Sequence, residues 1–154
     1  MKKWTKPFIA TMIALPLMTA PLAAHASQQL KIYAPNKMAT KLVVEHKSPY
    51  SYAKNGSMTK FLMHELHYTH YVKGYAVSKS EKTITLNFKS SLATSQVVQG
   101  STGGQFFTDR IAVTFFKNMP KLQTIYFRLD GKKTSLDHVN FTNIQRSDYK
   151  KMLK

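Results

Sequence analysis

From residue 28 onward, apolar and polar positions fall into short runs that switch between the period of a strand and the period of a helix. Leu30 and Ile32 lie on one side and Lys31 and Tyr33 on the other before Pro35-Asn36 interrupts, which predicts a short strand over 28–34. Leu42-Val43-Val44, within 41–46 and bounded by Ser48-Pro49, predicts a second strand paired locally with the first. Asn55-Gly56-Ser57 is a turn with a capping serine. Behind it Met58, Phe61, Leu62 and Leu66 recur at helical spacing, predicting a helix over 58–67. Residues 71–78 and 83–88 read as a hairpin around Lys79-Ser80-Glu81-Lys82, with Ile84, Leu86 and Phe88 alternating against Thr83, Thr85 and Asn87. Residues 90–104, rich in Ser, Thr, Gln and Gly, read as a long loop. Phe107, Ile111 and Phe115 then stand at i, i+4 and i+8, predicting a deeply packed helix over 105–118 that Asn118 and Pro120 end. A strand over 121–129 closes in Asp130-Gly131. Beyond residue 134 the pattern weakens, with one or two basic helical turns over 147–154. The order β-β-α-β-β-α-β predicts an α+β two-layer sandwich, one mixed sheet packed with two helices.

The first 26 residues follow a different pattern. Lys2, Lys3 and Lys6 precede an apolar run from Phe8 to Leu22 that Pro16 and Pro21 interrupt, and Ala24-His25-Ala26 follows. This is the layout of a cleavable signal peptide, with the cut expected between Ala26 and Ser27. The expected product is a secreted, extracytoplasmic single domain over 27–154, with a core over about 28–133 and a basic extension over 134–154. The sequence has no cysteine, so neither a disulfide nor a thiol-linked lipid is available to it.

Charge narrows the range of partners. Removing Lys2, Lys3 and Lys6 from 23 basic residues leaves 20 against seven acids, a net charge of +13 on 27–154. Such an excess favours encounters with anionic surfaces and weakens with salt. Lys132-Lys133 and Lys150-Lys151 are the adjacent pairs in that part of the chain and the candidate electrostatic contacts. The lysines are otherwise dispersed, and Tyr126-Phe127-Arg128 is only a faint version of a nucleic-acid-reading stripe.

Reactive chemistry finds little material. His64-Glu65-Leu66-His67 resembles a zinc-protease helix, but that motif needs histidines four apart, and Tyr68 holds the position four after His64. His64 and His67, three apart, with His70 further on, leave a metal-dependent extracellular hydrolase as the alternative reading. Ser101-Thr102-Gly103-Gly104 resembles an anion cradle yet lacks the Lys-Ser/Thr ending of a P-loop. There is no Gly-x-Ser-x-Gly elbow, and the seven acids are too scattered to propose a carboxylate pair. The expectation is a protein that is not an enzyme and uses no cofactor.

The C-terminal half resembles the GerM (GerMN) domain family of sporulation and spore germination. The resemblance rests on Ile84-Thr85-Leu86-Asn87-Phe88, a loop with Gly100 and Gly103-Gly104, Ile111 to Phe115 leading to Met119-Pro120 with Thr114 six before the proline, and Leu122 to Lys132 with its Asp130-Gly131 close. It implies a non-catalytic binding or assembly domain similar to ring-building modules of secretion systems. Its partner would be an envelope protein, an anionic wall or membrane polymer, or further copies of itself. Family members are often lipoproteins or carry two copies of the domain; this chain has no lipid-acceptor cysteine and one copy.

Overall fold

The computed structural model describes residues 27–136 and 141–153. The expected signal peptide, residues 1–26, lies outside the described residues. In chain order the elements are β1 (Gln28–Pro35), β2 (Leu42–Tyr50), a one-turn α1 (Tyr52–Asn55), α2 (Met58–Glu65), β3 (Val72–Val77), β4 (Thr83–Phe88), α3 (Gly100–Asn118), β5 (Thr124–Leu129) and β6 (Asn143–Gln145). Short 3-10 turns lie at Thr69–Tyr71, Ser90–Thr94, Gln96–Val98 and Lys151–Leu153. The class is α+β. Among the described residues no helix is long and apolar enough to cross a membrane.

The strands form two sheets, where the pattern predicted one. β1 and β2 make an antiparallel ribbon of their own, and β3-β4-β5-β6 make a second, mixed sheet. Within it β4 and β5 run parallel while the outer pairs run antiparallel. A parallel pair needs a crossover, and α3 supplies it. Ile84, Leu86 and Phe88 of β4 and Ile125 and Phe127 of β5 point to the same face, where they share one core with Phe107, Ile111 and Phe115 of α3 and with Leu30, Ile32, Leu62 and Phe141. Every buried residue of that core lies between Leu30 and Ile144. The opposite face is half-buried and polar, with Thr83, Thr85, Asn87, Tyr126 and Arg128. Phe127, in the middle of the faint basic-aromatic stripe, is therefore a core residue.

Several boundaries differ from those the periodicity predicted, each for a local reason. β2 continues through Pro49 to Tyr50. Proline is tolerated there because Pro49 pairs with Gln29, in the same alternation as Lys31, so its nitrogen faces away from β1 and no ladder bond is lost. The stretch 90–104 is mostly ordered as 3-10 turns and the start of α3, so Ser101–Gly104 belong to a helix and not to a loop. Gly100, at φ +73°, makes the turn into α3, and the helix runs through Gly103 and Gly104 although each costs roughly 1 kcal/mol against alanine. Residues 121–123 turn between α3 and β5, with Leu122 N–H bonded to the Met119 carbonyl at 3.0 Å. The weak tail supplies a fourth strand, β6. The Asp-Gly close is a two-residue hairpin turn: Asp130 and Gly131 both take positive φ (47° and 79°), and Leu129 and Lys132 exchange two backbone bonds of 3.0 Å.

The ribbon is attached to α3 by side chains that stand in for a missing strand. Lys31 and Tyr33 turn their backbone groups away from β2, toward the helix. Asn118 accepts from Lys31 N–H (2.9 Å) and donates to its carbonyl (2.7 Å). Thr114 Oγ1 accepts from Tyr33 N–H (3.3 Å), and Arg110 Nε donates to the Tyr33 carbonyl (3.1 Å). Arg110, Thr114 and Asn118 stand at i, i+4 and i+8, so one stripe of α3 runs along the edge of β1. The C-terminal end of the helix is closed by Arg146. Its guanidinium donates to the carbonyls of Phe116 (3.0 Å), Met119 (2.6 Å) and Leu122, and lies 5.2 Å from the Phe116 ring centroid. A cation on those orphan carbonyls also suits the negative end of the helix dipole.

Asn118→Ala removes three bonds, two to the backbone of Lys31 and one to the Thr114 carbonyl (2.8 Å), and is expected to lower unfolding stability by about 1–2 kcal/mol. Urea denaturation followed by far-UV circular dichroism checks this; an unchanged midpoint would mean that the ribbon does not depend on the ladder.

Candidate functional site

The histidine segment ends a helix instead of extending along one. α2 stops at Glu65, not at 67. Tyr68 N–H bonds to the Met63 carbonyl (3.0 Å) and His67 N–H to that of His64 (2.9 Å), the paired bonds of a Schellman close. His67 accordingly takes φ +62°, the left-handed position usually held by Gly or Asn, and the buried Met63 and Tyr68 meet behind it. His64 is 73% exposed and 3.5 Å from Glu65. Since the chain reverses at His67, the shared helical face that the metal reading required does not form. Among the described residues no three His, Asp or Glu side chains converge in a way that could hold a metal ion.

Beside this close lies the largest polar cluster. Arg110 donates to Tyr68 Oη (3.1 Å) and pairs with Glu45 (3.3 Å), and its guanidinium sits 5.4 Å from the Tyr68 ring centroid. Glu65 accepts from His46 Nε2 at 3.1 Å. Burial pushes the Glu65 carboxyl up, but hydrogen bonds from Ser48, His46 and His64 outweigh it and hold the group below its ordinary value. Burial raises the Tyr68 phenol, with Arg110 opposing. A carboxylate held ionised and a phenol held protonated are poor proton-transfer groups near neutrality. Their partners fix α2, β2 and α3 to one another.

Asp109 is the other perturbed acid. It is buried in α3, bonded to Gln105 Nε2 at 2.7 Å, and desolvation pushes its carboxyl up to about 6 against the opposing effect of that bond. It does not line the groove described next. Against the expectation that no Ser-x-x-Lys stands in a helical setting, Ser57-Met58-Thr59-Lys60 places that spacing at the start of α2. Ser57 caps α2, its Oγ accepting from Lys60 N–H at 3.5 Å, and the Lys60 side chain is solvent-exposed.

One surface groove, about 520 Å³ in volume, opens between the end of the ribbon, the start of α2 and the β3–β4 turn. Tyr50, Tyr52, Met58, Val77, Met119 and Pro120 give it an apolar lining, and the pair Lys121–Glu81 (3.0 Å) is at its rim. Tyr52 is 72% exposed there. This groove was invisible in the sequence because its walls come from four separate stretches of chain.

The lysine pairs do not form one patch. Lys132 and Lys133 follow the Asp130-Gly131 turn at the C-terminal end of β5. Lys150 and Lys151 follow β6, whose Gln145 pairs with Thr124 at the other end of β5. All four are exposed, and Lys151 lies 4.0 Å from Asp148. What pairing does bring together is Lys31 and Lys47, directly opposite each other on the exposed side of the ribbon. The chain matches none of the protein-family models, curated proteins or solved structures compared with it.

Two substitutions separate support from chemistry here. The carboxyl of Asp109 titrates near 6 when folded and at 3.8 ordinarily, so the folded state binds more protons between those values and loses stability as pH rises through them. Asp109→Asn is expected to raise stability by up to about 3 kcal/mol at pH 7.5 and to change it little below about pH 4. Urea midpoints at the two pH values check the sign. His67→Gly relieves a left-handed residue and is expected to add about 1 kcal/mol in the same assay, whereas a residue needed for function at this corner would leave activity, not stability, as the casualty.

Proposed function

We propose that the exported domain is a non-catalytic binding module of the cell envelope that adheres to anionic polymer. The observation that carries this reading is the distribution of charge. All six described carboxylates have partners: Glu45 with Arg110, Glu65 with His46 and His64, Glu81 with Lys121, Asp109 with Gln105, Asp130 with Lys73, and Asp148 with Lys151. Most of the lysines, including Lys31, Lys37, Lys41 and Lys47 on the ribbon, have no carboxylate partner among the described residues. Lys31 and Lys47 face each other across two strands, an arrangement that costs stability unless an anion lies between them. Phosphate-rich wall polymers and anionic head groups supply such anions along their length. Lys132 and Lys133, after β5, and Lys150 and Lys151, at the turn that packs against β2 and α3, add to the field. The resemblance to GerM domains supports a place at the envelope and a role in assembly during sporulation or germination, and the groups buried in the polar cluster serve packing and not turnover.

Residues 27–154 are expected to pellet with phosphatidylglycerol vesicles or with teichoic-acid-bearing wall fragments at low salt and to be released at about 0.5 M salt. Neutral phosphatidylcholine vesicles should leave the protein in the supernatant. Lys31→Glu with Lys47→Glu is expected to weaken retention about tenfold, more than glutamines at the four lysines flanking β5. Absence of pelleting at low salt would refute the adhesion.

A further inference from the structure

The two sheets have free edges that are treated differently. On β2 the outward backbone positions include Lys47 and Pro49, a charge and a missing N–H, both devices that discourage a further strand. β3 has no such protection along its second half. Ser78 N–H bonds to the Thr83 carbonyl (3.0 Å), so in the antiparallel β3–β4 register the positions bonded to β4 continue at Ala76, paired with Thr85. Tyr75 and Val77 are then the positions whose N–H and carbonyl groups point away from the sheet. Neither has a backbone partner on that side among the described residues.

Their side chains share a face with Leu86 and Ile84, which are fully buried, yet Tyr75 and Val77 are each 39% exposed. The helical cover ends before it reaches β3. Val77 is also a wall of the 520 Å³ groove, whose other apolar walls are Tyr50, Tyr52, Met58, Met119 and Pro120. An unprotected strand edge therefore adjoins an apolar trough on the same side of the sheet.

We propose that the edge of β3 takes up an extended segment of a partner polypeptide as an added strand. The main chain of that segment would bond to Tyr75 and Val77, and alternate apolar side chains would enter the groove. Charge selects the kind of partner. Lys79 and Lys82, exposed in the β3–β4 turn, have no carboxylate partner among the described residues, and the domain carries +13 overall. A second copy would bring the same lysines and the same excess to the interface. The fitting occupant is a segment with alternating aliphatic or aromatic residues and Asp or Glu at its flanks. This site is independent of polymer adhesion, since it depends on backbone bonds and apolar burial at a different face.

Panning a random dodecapeptide display library on immobilised residues 27–154, which contain the whole core, tests the assignment. The enriched peptides are then synthesised and measured by fluorescence anisotropy. Expected are sequences with alternating apolar positions and acidic flanks, amide shifts at Tyr75 and Val77 on titration, and about tenfold weaker binding after N-methylation of alternate peptide amides. Val77→Lys should weaken binding by a similar factor and leave vesicle retention intact. Ala76→Lys, whose side chain is on the opposite face, should bind as the wild type does. Failure to enrich such peptides, or binding indifferent to N-methylation and to Val77→Lys, overturns the proposal. So does a wild-type dimer in sedimentation that Val77→Lys dissolves, because the occupant would then be a second copy. Loss of vesicle binding with peptide binding retained would strike only the adhesion reading.

Discussion

A strand edge inside a folded protein must be satisfied, and the way this molecule satisfies the edge of β1 sets its architecture. The ribbon of β1 and β2 is too small to be stable alone, and its apolar residues Leu30 and Ile32 reach the common core only if β1 lies against α3. That approach brings the outward backbone groups of Lys31 and Tyr33 to the helix, where no strand is positioned to pair them. Arg110, Thr114 and Asn118 meet them with four side-chain bonds. Unmade, the buried N–H of Tyr33 would cost about 1–3 kcal/mol. The helix therefore acts on both sides, as the crossover that makes β4 and β5 parallel and as a substitute strand for β1. Arg146 secures its last carbonyls to the turn leading into β5, so the same helix fixes the start of the next strand.

Much of this was legible where a long periodic pattern met one continuous face. Phe107, Ile111 and Phe115 announce α3, and the alternation from Thr83 to Phe88 announces β4, because each sends its apolar residues to one core. The same logic fails for β6, three residues with the single buried side chain Ile144, too short to show a period. It also fails for the partition into two sheets. The joint role of Arg110, Thr114 and Asn118 was not legible, since their partners are backbone atoms some 80 residues away and leave no trace in side-chain pattern. The glycines at 103 and 104 read as a loop because propensity counts their cost and not the packing of the apolar face that follows them in the same helix.

The candidate site was legible in the same uneven way. The histidine segment drew attention by its spacing, but its meaning turned on a backbone angle: at φ +62° His67 closes α2 and directs Tyr68 inward to Arg110. The mismatch with the protease motif was visible in the sequence; the Schellman close was not, because it ordinarily announces itself by a glycine. The lysine pairs adjacent in sequence fall on different elements, one after β5 and one at the turn packed on β2 and α3, while Lys31 and Lys47, sixteen residues apart, became neighbours through strand register. Adjacency along a chain is a weak guide to a charged surface when strands fold back on one another.

The polar and charged groups of this domain divide by whether the fold itself uses them. The arginines at 110 and 146 are enclosed by carbonyls and aromatic rings, which suits a planar guanidinium that can make several fixed bonds at once. The lysines, with hydrated heads, are left largely on the outside, and the six described acids are taken up by internal or local pairs. The edge of β3 differs from both edges of the ribbon: the β1 edge is capped by α3 and the β2 edge carries Lys47 and Pro49, whereas the strand bearing Tyr75 and Val77 leaves backbone bonding and apolar surface open beside an apolar groove.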